Sequence, residues 1–117
     1  METQADFVIR LSNDARCHFH KNKTPRHYTI KKYNTMVHGE MGYLGWVIEK
    51  VRKNYFWLCL PKDLTDKANV SHLADKSGDG RIYQRGKKDA SFYIVRNSRG
   101  EDYQNAVRAV SAIKEVR

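Results

Sequence analysis

The chain has 117 residues, 40% of them hydrophobic and 30% charged, a balance that suits one folded α+β domain and excludes both a disordered chain and a disulfide-dependent miniprotein. Its 22 Lys and Arg against 13 Asp and Glu leave a formal net charge of +9 and a pI near 9.7, which favours polyanionic partners. No apolar run approaches the ~20 residues that cross a bilayer, and the polar stretch Met1 to Asp6 lacks the features of a signal peptide, so a cytoplasmic, reducing location without a membrane partner is expected.

Phe7, Val8 and Ile9 are β-formers, and Asp6 to Leu11 reads as a first short strand. Ser12 to His27 carries polar residues and histidines with few aliphatics and no helical period, and is expected to be a long basic loop. Tyr28 to Tyr33 alternates well enough for a second strand. Between Asn34 and Lys53 two patterns compete. Met41, Leu44, Ile48 and Val51 recur at helical spacing, whereas Gly39, Gly42 and Gly45 weaken a helix and Trp46-Val47-Ile48 suits a strand; a strand over about Leu44 to Val51 is expected.

Tyr55 to Leu60 is the clearest strand, stopped by Pro61. Its alternation sends Phe56 and Leu58 into the core and leaves Tyr55 and Trp57 for the outside or for a second layer. A short helix follows, with Leu64, Ala68, Leu73 and Ala74 on one face. Arg81 to Arg85 and Ser91 to Arg96, joined by Gly86-Lys87-Lys88-Asp89, predict a basic hairpin. The chain closes with an amphipathic helix over about residues 99–116: Ser98 and Glu101 have capping-box spacing, and Tyr103, Ala106, Val107, Val110, Ile113 and Val116 form the stripe. The fold class expected is α+β, an antiparallel sheet of about five to six strands with the C-terminal amphipathic helix packed on one face.

Chemistry concentrates in two basic segments. The first interleaves Arg16, Lys21, Lys23, Arg26, Lys31 and Lys32 with Phe19, Tyr28 and Tyr33. Cations neutralise phosphates and release counterions, while rings give unpaired bases something to stack on. The second is the hairpin with Arg81, Arg85, Lys87 and Lys88, since a two-stranded ribbon fits a groove and its tip grips phosphate. Nucleic acid, DNA or RNA, is therefore the leading partner, and a non-catalytic binding protein the leading function.

Two alternatives stand beside it. A protein-binding inhibitor of viral or mobile-element type would set the same basic surface against an acidic protein. A small ribonuclease toxin would use His18, His20 and His27 as acid and base, with a nearby cation for the phosphorane. Cys17-His18-Phe19-His20 has zinc-ligand residue types but no second Cys pair, so no metal is expected. Phosphate-cradling loops and dinucleotide fingerprints are absent, and no cofactor is expected.

Overall fold

In the computed structural model, which describes residues 3–32, 42–50, 55–74, 90–96 and 100–116, the chain begins with a capped helix, α1 (Gln4–Ala15). Thr3 Oγ1 accepts the Asp6 amide at 3.1 Å and donates its own proton to the Asp6 carboxylate at 2.8 Å, so the first turn is closed at both groups. Phe7, Val8, Leu11 and Ala15 then fall on one buried stripe, whereas Ile9 is 60% exposed. The strand expected over Asp6 to Leu11 is thus a helix. The local β preference of Phe-Val-Ile yields to a helical stripe that buries Phe7 and Leu11 together, which an alternating strand would also do but only by burying Ile9 in place of Val8.

The helix ends at Arg16, whose left-handed backbone (φ 54°) lets its amide bond back to Ser12 O. Ser12 also donates its hydroxyl to Cys17 O at 2.6 Å. The long loop expected over residues 12–27 is therefore replaced by the end of α1, the strand β1 (His18–Lys21), a short turn and the start of β2 (His27–Lys31). β1 looks irregular in the sequence because it is an edge strand in which only Phe19 needs to be apolar.

Three more strands complete one antiparallel sheet in the order β1-β2-β3-β4-β5: β3 (Tyr43–Lys50), β4 (Tyr55–Pro61) and β5 (Ala90–Val95). The competition between helix and strand before Lys50 is resolved as strand over Tyr43–Lys50, and the rest of that stretch lies outside the described residues. Gly45 has φ 141°, and a Cβ there would lie 2.2 Å from Cys59 O, so only glycine fits. Beside it the β2–β3 register slips by one residue: Ile30 faces Gly45 but Lys31 faces Tyr43. The slip is why Leu44 and Val47, three apart, both enter the same buried cluster.

That cluster lies between the sheet and the helices. Val47, Phe56, Leu58, Leu60, Tyr93 and Val95 supply the sheet side. α1 and the C-terminal helix α3 (Glu101–Ile113) supply the other, α3 through Tyr103, Ala106, Ala109, Val110 and Ile113. Phe7 stacks on Phe56 with ring centroids 4.2 Å apart and meets the Tyr103 ring edge-on at 6.0 Å. Tyr103 donates its hydroxyl to Asp14 at 2.5 Å, the Arg10 guanidinium lies 4.3 Å over the Tyr103 ring, and Lys114 donates to the carbonyls of Ala15 and Arg16.

The short helix α2 (Lys62–Lys67) packs on the same side, with Leu64, Ala68, Leu73 and Ala74 against the core as its spacing implies. Fully buried Thr65 exchanges hydrogen bonds of 2.8 Å with Ser71 and Ser91, and Tyr93 donates to Val70 O at 2.7 Å, so no buried hydroxyl of this joint lacks a partner. The first arm of the expected C-terminal hairpin and its tip, with Arg81, Arg85, Lys87 and Lys88, lie outside the described residues; its second arm is β5.

Because Phe7 is fully buried against Phe56 whereas Ile9 is exposed, Phe7→Ala should cost about 3–5 kcal/mol while Ile9→Ala stays within about 0.5 kcal/mol, read from urea midpoints at constant m-value. Equal losses at the two positions would contradict the helix.

Two buried acids link stability to alkaline pH. Burial pushes the Cys17 thiol from 9.0 up to about 12 against the opposing field of Lys114, and burial, with Asp66 nearby, also raises the Tyr93 hydroxyl. Both hold their protons more tightly folded than unfolded. Their effect is nil below pH 9, where both states are protonated; as pH rises from about 9 towards 12 the unfolded chain releases protons first and stability falls. Urea midpoints should therefore decline above pH 9, and less steeply in Cys17→Ala.

Candidate nucleic-acid interface

The β1–β2 hairpin presents the first basic segment. Asn22 donates its amide to His27 O at 3.0 Å, Thr29 donates its hydroxyl to Asn22 Oδ1 at 2.9 Å, and His27 Nδ1–H donates to Pro25 O at 2.8 Å. Arg26 takes a left-handed backbone (φ 65°), and its carbonyl accepts the Glu49 amide at 3.1 Å, which ties the turn to β3. Lys21, Lys23 and Arg26 are all exposed around this turn. A flexible basic loop is thereby replaced by a fixed tip with three cationic side chains.

Strand alternation sorts the remaining candidates. Tyr28 faces the helices, where its ring meets Phe19 edge-on at 6.4 Å. Lys31 is only 6% exposed and Lys32 is half-buried. Arg16 is exposed but belongs to the end of β1 away from the tip. Of the first segment's cations, the structure brings together Lys21, Lys23 and Arg26; those of the second segment lie outside the described residues.

The opposite face of the sheet is only partly legible in the sequence. Registers align His20, Thr29, Trp46, Cys59 and Phe92 in one row across five strands, and His27, Ile48, Trp57 and Ile94 in the next. His27 meets Trp46 edge-on at 6.1 Å, Trp57 meets Phe92 at 5.6 Å, and Tyr55 stacks on Trp57 at 6.4 Å with 18° between planes. Cys59 and Phe92 form a buried floor, while Tyr43, Trp46, Ile48, Tyr55 and Trp57 are half-buried around it. Among the described residues all helices pack against the other cluster, and this second cluster is built from strand residues alone.

Its electrostatics follow from the same alternation. Glu49 is the one acid in the described strands, and its partner Phe56 places it on the helix side. In the described strands the second face thus has no carboxylate, and His18, His20 and His27 all fall on it, His27 beside the basic tip and His18 at the far end of β1. Sequence reasoning reaches Tyr55 and Trp57 but misses Trp46 and Phe92. The available signal is the continuous apolar run of β5, the mark of a strand buried on both faces.

Among the described residues no three His, Cys, Asp or Glu side chains converge as metal ligands. Cys17 and Cys59 are buried on opposite sides of the sheet and form no disulfide, Cys17 with its proton held by desolvation. No helix of the described residues is long and apolar enough to cross a membrane. No protein-family model, curated protein or solved structure matches this chain, so the chemistry of these residues is what bears on function.

Proposed function

We propose that this protein binds single-stranded nucleic acid, holding phosphates at Lys21, Lys23 and Arg26 and stacking bases on the half-buried rings of Trp46, Tyr55 and Trp57. The observation that supports it is the pairing of a basic hairpin tip with an aromatic sheet face that carries no carboxylate from the described strands. Tip and face are joined through one residue, since His27 ends the turn and touches Trp46. Unpaired bases offer their π-faces to such a surface, whereas a duplex hides them in its stack and leaves only phosphates to be read. The net charge of +9 raises the encounter rate with any polyanion, and the rings select the unpaired form.

Stacking on one aromatic ring is worth about 1–3 kcal/mol, so Trp46→Ala should weaken binding to a labelled single strand by about 5- to 150-fold. Each phosphate that a cation neutralises on a single strand adds about 0.7 to the slope of log K against log salt, so reversing Lys21, Lys23 and Arg26 together should flatten it by about two. Fluorescence titrations with single-stranded RNA, single-stranded DNA and duplex DNA at several salt concentrations measure both effects. An unchanged slope together with unchanged affinity in the two variants would remove this reading.

A second reading draws on His18, His20 and His27 sharing that face, as an RNA-cleaving acid–base pair would require. Cleavage of the RNA strand in the same titrations, abolished by His20→Ala or His27→Ala in folded protein, would favour it.

A further inference from the structure

The sheet ends at β1, and the ladder phase decides which of its backbone groups face outward. Asn22 bonds to His27, and partners alternate along an antiparallel ladder, so His20 with Thr29 and His18 with Lys31 are the hydrogen-bonded pairs. Phe19 and Lys21 lie between them. Their amides and carbonyls point away from β2, and among the described residues no strand pairs with that edge. An open row of this kind templates another strand.

A groove runs beside the same edge. A cavity of about 450 Å³ lies between α1 and the hairpin, with an apolar part formed by Ala5, Val8, Ile9, Phe19 and Tyr28 and a polar end formed by Ser12, Asn13 and His18. Ile9 is the one large hydrophobic residue among those described that is well exposed. A strand added beyond β1 has two faces: residues level with Phe19 and Lys21 project to the helix side, towards this groove, and the alternate residues project to the side of His18 and His20. The groove suits apolar side chains. On the other side the exposed histidines, flanked by Arg16 before the strand and Lys23 after it, suit carboxylates.

We propose that the outer edge of β1 is a docking site for an extended acidic peptide in which apolar and acidic residues alternate, added to the sheet as a sixth strand. A second copy of this chain does not fit the edge. Pairing β1 with β1 sets His18, His20 and Lys21 against the same basic set, and like charges across a ladder repel. Nucleic acid does not supply the alternating amide donors and carbonyl acceptors that the edge requires. The backbone edge is separate from the aromatic rings; the two sites share the basic tip and the His18 and His20 side of β1.

The test uses the intact protein and a fluorescein-labelled peptide of alternating valine and glutamate. Bound peptide should slow amide hydrogen exchange at Phe19 and Lys21 by about tenfold or more while leaving His18 and His20, already bonded to β2, little changed. Ile9→Glu, at an exposed position, should weaken peptide binding by about tenfold or more without altering the affinity for single-stranded nucleic acid, and a valine–lysine peptide should bind about tenfold less well or worse. A saturating oligonucleotide that lacks access to the edge should leave protection at Phe19 and Lys21 in place. Binding without protection at those two amides would overturn the proposal, as would displacement of the peptide by the oligonucleotide with loss of that protection, or a concentration-dependent dimer that protects the same two amides in the absence of peptide.

Discussion

The stack of Phe7 on Phe56, capped edge-on by Tyr103, joins three parts of the molecule that lie far apart in sequence: the first helix, the middle of the sheet and the last helix. Apolar burial alone would hold α1 against the sheet in many positions, because it has no direction. The directional contacts beside it narrow the choice. Tyr103 reaches Asp14, Arg10 covers the Tyr103 ring, and Lys114 binds the carbonyls at the end of α1, so α1 is fixed along its length and at its terminus. Where α1 ends, β1 must begin, and the placement of the hairpin tip is inherited from that junction.

The sheet has two apolar faces with different neighbours. One is filled by helices and has the dense, fully buried packing of an ordinary core. The other sets larger rings, including both tryptophans, around a small buried floor of Cys59 and Phe92, with no carboxylate from the described strands to repel an anion. The slip at Gly45 makes that division possible in β3. Without it, Leu44 and Val47 would point to opposite faces, and either the helix side or the aromatic side would lose a member.

Elements with a full apolar period were legible in the sequence. Tyr55 to Leu60 and the stripe on α3 show the periodicity of their structure, the Ser91–Val95 run shows the unbroken β-forming content of a strand buried on both faces, and the buried pair Phe56 and Leu58 could be named from alternation alone. The N-terminal third was not legible, for two physical reasons. Phe7-Val8-Ile9 has strong local β preference, overridden by packing against Phe56 and Tyr103, which lie 49 and 96 positions away in the chain. β1, as an edge strand, needs so little apolar content that its residues resemble a loop. For the candidate interface, the basic residues could be read directly, but Trp46 joins Thr29, Cys59 and Phe92 only through strand registers, and register depends on turns and on the slip at Gly45 rather than on any local motif.

The bond between the last turn of the chain and the end of α1 has a consequence for synthesis. A ribosome releases α1 first, and the hairpin and central strands can begin to form a meander as they emerge, but α1 has only half of its final surroundings until α3 leaves the exit tunnel. Until then the stripe of Phe7, Val8 and Leu11 lacks Tyr103 and Lys114 as neighbours. Closure of this domain is therefore a late, long-range event, with the first helix incompletely docked until the strands and α3 have all been made.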